Sequence, residues 1–259
     1  MGKKIAIYGA GTIGACQATL TSGNGYSTVV SGQSEEGLSR CRNTMLQNWN
    51  DLIAQKLATA ANRCAAMDLV TITNDVSALR DCDIVFEAVS EDVNIKQRVY
   101  SIITEVCGRD IIVVSTTSSI DAAILAEKIE NPARFLIAHP FQPVHMLPLV
   151  EVVRHTETSE ETLNQVCTLL KDLNRQVVML NRSVPGFLVN RFAQALFRES
   201  IYLIEQGITT AADIDRAIKY AVGMRYASIG LLEYYDAVGF ELERAIALNV
   251  YPDLGDTKS

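Results

Sequence analysis

An apolar run leads directly into a glycine-rich turn in the stretch Lys4-Ile5-Ala6-Ile7-Tyr8-Gly9-Ala10-Gly11-Thr12-Ile13-Gly14. A helical pattern follows, so the order is strand, turn and helix. In that order the three glycines permit a tight turn, close approach of backbone to a pyrophosphate, and close packing of helix on strand. The N–H groups at the helix start, around Thr12 and Ile13, would face the pyrophosphate. The stretch predicts a dinucleotide site, the alternative being a glycine turn that binds nothing.

The first half of the chain alternates β-rich runs with helical patterns, which indicates parallel βαβ units. The strands are expected at 4–8, 27–31, 83–87, 111–115, 134–138, 149–153 and 176–180. The run 111–114 is apolar at every position, as a strand covered on both faces must be. We therefore expect an α/β fold with a Rossmann-type, mostly parallel, doubly wound sheet.

The pattern changes at residues 181–186, beyond which only helical patterns follow, at 187–206, 210–220 and 231–238. We place a domain boundary there, with an NAD(P)-binding Rossmann domain at 1–183 and a smaller all-helical domain at 184–259. About 75 residues are few for an independent core. Either the helical domain packs on the first domain and on another subunit, or it is a shortened version of a longer one.

Composition narrows the possible partners. A net charge of −7 argues against nucleic acid or an anionic membrane surface as the main partner. The first apolar run is too short for a targeting segment, and no stretch approaches the roughly 20 apolar residues of a membrane span.

The six cysteines are scattered without a close pair, which favours free thiols in a reducing cytosol over a metal site or a disulfide framework. We expect a cytoplasmic protein without a metal.

The adenosine end of the predicted dinucleotide site departs from the usual pattern. An acidic residue at the end of the second strand usually holds the ribose, but Gly32 stands there. The missing carboxylate removes repulsion toward a 2′-phosphate and so permits NADP, although no arginine follows immediately. Glu35 or Glu36 could hold the ribose instead. We expect NAD as the cofactor, with NADP left open.

A second group of polar residues lies in the segment His139-Pro140-Phe141-Gln142-Pro143-Val144-His145-Met146-Leu147-Pro148-Leu149-Val150-Glu151. His139 follows a buried strand, at the strand end where α/β sheets place their ligands. Glu151 lies inside an apolar strand, where burial is costly unless the carboxylate is paired. A His–Glu pair could move a hydroxyl proton during hydride transfer. The competing interpretation has His139 bonded to a loop and Glu151 reaching solvent. His145 and His155 are interpreted as structural.

Two further polar sites are candidates for substrate binding. The hydroxyl-rich run 115–119 follows the most apolar strand, so Ser118 would project at the same sheet edge as His139. A helix N-cap is the alternative role for one residue of that run. Asn190 lies one turn into the helix after Pro185 and Gly186 among apolar neighbours, where its amide needs a partner, either substrate or backbone.

Together these pieces resemble the 3-hydroxyacyl-CoA dehydrogenase family over almost the whole chain. The matching motifs are GAGTIG at 9–14, EAVSED at 87–92 with Lys96 after it, TTSSI at 116–120, HPFQP and PLVE at 139–151, and PGFLVNR at 185–191. The resemblance implies that His139 is the general acid/base and Glu151 its partner, with Ser118 and Asn190 holding the reacting oxygen. It also implies that Glu91 and Lys96 lie near the nicotinamide half of the cofactor.

The sequence around the histidine is more similar to the branch with carnitine dehydrogenase, gulonate dehydrogenase and lambda-crystallin, whose members handle free hydroxy acids. Arg225 could then pair with a substrate carboxylate, its alternative being a surface or interdomain arginine. Thr116 replaces an Asn common in the family motif. Family members also continue for several helices beyond residue 259, which fits the alternative of a shortened helical domain.

The resemblance implies an oxidoreductase that interconverts an L-3-hydroxyacyl compound, as CoA thioester or free hydroxy acid, and its 3-oxo form by hydride transfer with NAD(P). It also implies a homodimer formed through the helical domain. The competing hypothesis is a non-enzymatic structural or regulatory protein that binds the dinucleotide on the same fold.

Overall fold

The computed structural model describes residues 3–255. The β-strands are β1 Lys4–Tyr8, β2 Ser27–Ser31, β3 Val70–Thr73, β4 Ile84–Glu87, β5 Ile112–Ser115, β6 Phe135–Pro140, β7 Leu149–Arg154 and β8 Gln176–Leu180. They form one eight-stranded sheet in the order β3-β2-β1-β4-β5-β6-β7-β8. From β1 the strand order runs to β2 and β3 on one side and to β4 and the later strands on the other, so it reverses between β1 and β4. Dinucleotides bind at such switch points of an α/β sheet.

The α-helices of the first part of the chain are α1 Thr12–Gly23, α2 Glu35–Ala54, α3 Ala60–Asp68, α4 Val93–Cys107, α5 Ala122–Ala126 and α6 Glu160–Asp172. Those of the second part are α7 Val189–Glu205, α8 Ala211–Ala217, α9 Gly223–Tyr226, α10 Leu231–Val238 and α11 Phe240–Val250. A π-helical turn, Ile218–Val222, joins α8 to α9. This segment carries the predicted helix 210–220 onward with wider turns.

All neighbouring strands are parallel except β6 and β7, which run antiparallel. The expected mostly parallel, Rossmann-type sheet is confirmed. The short strand β3 was not among the expected strands. Its alternating Val70-Thr71-Ile72-Thr73 lies at the edge of the sheet and is only partly buried, so its apolar pattern is weak.

The core lies on both faces of the sheet. Along β1, Ile5 and Ile7 belong to one apolar cluster, whereas Ala6 and Tyr8 belong to the cluster on the other face. Successive side chains of a strand point to opposite faces, so this division shows a strand covered on both sides. The carboxyl ends of β1, β4, β5 and β6 are left free to carry polar groups.

The chain divides into two compact units, one ending at Leu188 and the other starting at Val189. This division falls slightly after the boundary expected near residue 184. The intervening segment belongs to the first unit because Phe187 is buried in its core and the backbone N–H of Leu188 bonds to Glu151. Positive φ angles at Gly186 and Phe187 delay the start of α7 to Val189.

The second unit carries many exposed apolar side chains. The helices α7 to α11 contain no buried residue. Large side chains such as Phe192, Phe197 and Leu232 are exposed by half or more of their surface. Exposed apolar side chains that cluster on one surface are typical of an interaction site.

Candidate active site

The glycine turn after β1 is shaped by close backbone approaches. Gly9 has a φ of +126°, and a Cβ on it would lie 2.4 Å from the Ala88 carbonyl oxygen. A Cβ on Gly14 would lie 1.9 Å from the Gly9 oxygen, so only glycine lets α1 pack this closely. At Gly11 a Cβ would meet nothing within 4 Å, which means that this glycine faces open space.

That open space is a cleft of about 490 Å³ above the β1–β4 switch point. Gly9, Gly11, Thr12 and Gly32 are among the residues that line it. No side chain caps α1 at Gly11, whereas α2 and α4 are capped by the side chains of Ser34 and Asp92. The first N–H groups of α1 therefore remain available to an anion such as a pyrophosphate. The residues present fit a dinucleotide.

Three of the predicted cofactor residues have packing roles in this region. Ile13 packs against the core cluster, and Gly14 serves the contact between α1 and β1. Gly32 lies at the other end of the cleft and donates its N–H to the Thr73 carbonyl. A Cβ on Gly32 would lie 2.7 Å from both the Ala10 Cβ and a Leu38 methyl carbon. Close packing around Gly32 thus leaves no room for a side chain at the position where a carboxylate usually holds the ribose.

The two acidic residues considered as substitutes are already engaged. Glu35 accepts a hydrogen bond from Asn74, 2.8 Å away, and Glu36 forms an ion pair with Arg40 on the next turn of α2. Arg40 also lines the cleft. The adenosine end therefore has one arginine and no carboxylate at the position where ribose is usually held.

His139 and Glu151 lie at the carboxyl end of β6, on adjacent antiparallel strands. The two residues are register partners, and Nδ1 of His139 lies 2.8 Å from Oε2 of Glu151. Both are buried, His139 at 6% exposure and Glu151 at 0%. The other carboxylate oxygen, Oε1, accepts the Leu188 N–H at 2.9 Å. The structure thus has the buried pair, and not the arrangement in which Glu151 reaches solvent.

Aromatic rings hold the imidazole on its other sides. The Phe141 ring meets that of His139 edge-on, with centroids 4.6 Å apart, and the Phe187 ring lies 5.5 Å away. When Nδ1–H of His139 donates a hydrogen bond to Glu151, Nε2 is left as the nitrogen that can take a proton from a substrate. The carboxylate also stabilises the imidazolium that results.

Ser118 follows β5, the strand next to β6, and is bonded to Glu91. Oε1 of Glu91 accepts the N–H groups of Ser118 and Ser119 at 2.9 and 3.1 Å. The hydroxyl of Thr117 donates to the same oxygen at 2.6 Å, and that of Ser118 at the longer distance of 3.3 Å. Burial raises the pKa of Glu91, but these bonds and the Lys96 ammonium outweigh it and hold that pKa below its ordinary value.

The alternative role of the hydroxyl run, a helix cap, falls instead to Asp121. Its side chain accepts the Ala123 N–H at 2.8 Å at the start of α5. The Thr117 hydroxyl also accepts the Ile120 N–H at 3.1 Å, as a capping side chain would. The hydroxyls of Thr117, Ser118 and Ser119 all donate to Glu91, at the edge of the sheet that also carries His139.

Sequence reasoning missed a buried carboxylate beneath this network. Glu87, the last residue of β4, is fully buried and pairs with Lys96 at 2.8 Å, and the same ammonium lies 3.4 Å from Glu91. The signal was present, because Glu87 ends the apolar run Ile84-Val85-Phe86. The burial argument applied to Glu151 applies here equally.

Asn190 and Arg225 belong to the second unit. Asn190 is the second residue of α7. The Arg225 guanidinium lies over the Tyr234 ring, 4.4 Å from its centroid, which is a cation–π contact within the unit. Their roles toward the substrate stay predictions.

The two remaining histidines differ in their surroundings. The N–H of Glu157 donates to Nδ1 of His155 at 3.3 Å. His145 lines a cavity of about 260 Å³ with Trp49 and Arg175. Burial lowers its pKa, Arg175 lowers it further, and Asp51 opposes the shift.

Among residues 3–255, no cluster of His, Cys, Asp and Glu could hold a metal ion. Within the same range, none of the helices combines the length and apolar character needed to cross a membrane.

Two family models match consecutive parts of the sequence. The "3-hydroxyacyl-CoA dehydrogenase, NAD binding domain" matches residues 4–183, and the "3-hydroxyacyl-CoA dehydrogenase, C-terminal domain" matches residues 186–259. The chain belongs to the 3-hydroxyacyl-CoA dehydrogenase family. The resemblance inferred from its motifs is thereby confirmed.

Individual members of the family are similar over most of the chain. L-carnitine dehydrogenase of Bacillus cereus is 32% identical over 88% of this chain and 69% of its own length. 3-Hydroxybutyryl-CoA dehydrogenase of Clostridioides difficile is 29% identical over 98% of this chain and 89% of its own. A crystal structure of 5-formyl-3-hydroxy-2-methylpyridine 4-carboxylic acid 5-dehydrogenase, an NAD+ dependent dismutase, superposes with a TM-score of 0.91 at 29% identity, covering 100% of this chain and 83% of that one.

These family members are dehydrogenases, and the matching N-terminal model is an NAD-binding domain. The chain is thus an oxidoreductase of the 3-hydroxyacyl-CoA dehydrogenase type, acting on a CH–OH group with a nicotinamide dinucleotide.

Proposed function

We propose that this family member interconverts an L-3-hydroxyacyl compound and its 3-oxo form, with His139 as the general acid/base. The observation that carries the proposal is the buried contact between Nδ1 of His139 and Glu151, at the edge of the sheet where the dinucleotide cleft opens. A protein that only bound the dinucleotide would have no need of a buried acid/base pair at this edge.

In the oxidation, the proton of the substrate hydroxyl passes to Nε2 of His139. The C3–O single bond becomes a double bond as C3 loses its hydrogen as a hydride. A dinucleotide held by the glycine turn in the cleft would supply the hydride acceptor. Glu151 stabilises the imidazolium until the proton is returned to water. Reduction runs the same steps backward.

Ser118 and Asn190 are proposed to bind the reacting oxygen. The Ser118 hydroxyl bonds Glu91 at 3.3 Å, longer than the usual range for a hydroxyl donor. This hydroxyl can therefore turn to a substrate oxygen at little cost, while the Ser118 N–H, at 2.9 Å, keeps the loop in place.

NAD is the proposed cofactor, with weak discrimination against NADP. Gly32 brings no carboxylate to repel a 2′-phosphate, and Arg40 lines the same cleft. The pairing of Arg40 with Glu36 offsets its charge, which is why NADP is not proposed as the preferred cofactor.

The substrate is proposed to be a 3-hydroxyacyl compound, either a CoA thioester or a free hydroxy acid. Relatives of nearly equal identity are named for each kind. Arg225 would bind the carboxylate of a free acid, although its contact with Tyr234 already gives it a packing role.

A homodimer formed through the helical unit is also proposed. The exposed apolar side chains of α7, among them Phe192, Leu196 and Phe197, form a surface that a second copy would cover. The cytoplasm is the proposed location, because the six unpaired cysteines stay reduced there.

Steady-state assays with acetoacetyl-CoA and a panel of 3-hydroxy acids, each with NAD(H) and NADP(H), test the proposal. We expect turnover of at least one substrate and its loss in His139→Gln. Dinucleotide binding without turnover across the whole panel would favour the non-enzymatic alternative.

A further inference from the structure

The buried carboxylate of Glu87 is surrounded by hydrogen-bond donors. Oε1 accepts from Lys96 Nζ at 2.8 Å and from the Val89 N–H at 2.9 Å. Oε2 accepts the hydroxyls of Tyr100 and Ser115, each at 2.8 Å. An ionised carboxylate is an acceptor only, and four donors on two oxygens match that form. The groups around Glu87 therefore match an ionised carboxylate.

Lys96 is shared between two carboxylates. Its ammonium lies 2.8 Å from Glu87 and 3.4 Å from Glu91, and its side chain is 1% exposed. Two carboxylates and one ammonium leave the triad Glu87–Lys96–Glu91 with a formal charge of −1. In residues 3–255, the ion pairs include no second cation bonded to either carboxylate. Because two of the three groups are buried, solvent screens this charge poorly.

The triad lies on the nicotinamide side of the cleft. The adenosine half of a dinucleotide lies over the β1–β2 side of the switch point, where Gly32 is found, and the other half lies over β4 and β5. Glu87 and Ser115 are register partners at the carboxyl ends of those two strands. The residues that follow Glu87, from Ala88 to Ser90, line the cleft itself.

We propose that Glu87 raises the affinity of this cleft for the oxidised cofactor relative to the reduced one, because it leaves the triad with a net negative charge beside the nicotinamide ring. The oxidised ring carries a positive charge and the reduced ring is neutral. The triad therefore attracts one form and has little charge-dependent effect on the other. The inference rests on the proposed function, since it requires that a nicotinamide dinucleotide occupy the cleft.

The test compares Kd for NAD+ and NADH by isothermal titration calorimetry, with no substrate present. Glu87→Gln keeps the shape of the side chain but makes the triad neutral. We expect the ratio of Kd for NAD+ to Kd for NADH to rise on the order of three- to tenfold. Tyr100→Phe is the matched control, because it removes one hydrogen bond from the same carboxylate without changing any charge. Its ratio should stay within about twofold of the wild type.

An equal rise of both Kd values in Glu87→Gln would overturn the inference, as would a shift of the ratio in Tyr100→Phe as large as in Glu87→Gln. If Glu87→Gln fails to fold, Glu91→Gln removes the same charge from a side chain that is 38% exposed. An unchanged ratio there contradicts the inference as well. A wild type that binds both dinucleotides but turns over no substrate contradicts the proposed function alone. A wild type that binds neither contradicts both.

Discussion

His139 and Glu151 face each other directly across β6 and β7, and this register places Nδ1 of the imidazole 2.8 Å from Oε2 of the carboxylate. The contact depends on the one antiparallel step in the sheet. In an antiparallel pair, residues of adjacent strands lie opposite each other, so two groups twelve residues apart in sequence become immediate neighbours.

We expect His139→Gln and Glu151→Gln each to lower kcat on the order of 10²- to 10⁴-fold, because the proton acceptor is lost or misoriented. The double variant should be little worse than His139→Gln alone, since the two residues act as one unit. Steady-state kinetics of the two single variants and the double variant give the coupling between the residues. The dinucleotide Kd values of the same variants show whether they fold. Strictly additive losses would show that Glu151 acts on some other group.

Ser118→Ala should lower kcat on the order of tenfold or more, because it removes a donor to the reacting oxygen. Ser119→Ala is the matched control, since its hydroxyl also bonds Glu91, at 3.0 Å. It should change kcat by less than about twofold. Equal losses in the two variants would mean that both serines act only through Glu91.

Arg40→Ala should raise KM for NADP several-fold more than KM for NAD, because Arg40 is the cation that lines the adenosine end of the cleft. Arg42→Ala, two residues on and exposed, is the control and should leave both KM values unchanged. Kinetics with each cofactor at saturating substrate make the comparison. A uniform rise for NAD and NADP would place Arg40 away from the 2′ position.

His145 should make the first unit less stable as the pH falls. Burial lowers its pKa in the folded protein, so the unfolded chain binds the proton more readily. The free energy of unfolding is therefore expected to decrease as the pH falls through the unfolded pKa of about 6.5. Urea denaturation followed by the fluorescence of Trp49, which lines the same cavity, measures this. His145→Asn should flatten the dependence between about pH 8 and pH 5.5, and an unchanged slope would assign it to other groups.

Phe197→Asp should convert a dimer into monomers, because it replaces an exposed apolar side chain of α7 with a charged one that the proposed interface would bury. Arg198→Ala, at the next position of the helix, is the control and should leave the oligomeric state unchanged. Sedimentation velocity distinguishes the two species. A wild type that is already monomeric, or a variant that stays dimeric, contradicts the proposed interface on α7.

Prediction from the sequence worked where the controlling chemistry is local. The run from Lys4 to Gly14 specifies a strand, a turn and a helix through neighbouring residues alone, and the observed β1 and α1 follow it. The strands β2 and β8 begin and end where their apolar patterns do. β3 escaped notice because an edge strand is half exposed and its pattern is correspondingly weak.

The candidate site was only partly predictable, because its contacts join distant segments. The sequence left Glu151 with two interpretations, and the β6–β7 register selects the buried pair. Ser118 could have been a helix cap, and Asp121 takes that role instead.

Local patterning was therefore sufficient for seven of the eight strands of the sheet, for the glycine turn and for the pairing of His139 with a buried carboxylate as one of two interpretations, since backbone geometry and apolar periodicity act over a few residues. The assembly of Glu87, Lys96, Tyr100 and Ser115 required the folded arrangement, because β4, α4 and β5 bring their side chains to one buried point. A buried charge must be satisfied by whatever groups packing places around it, and strand register and helix packing determine which groups those are.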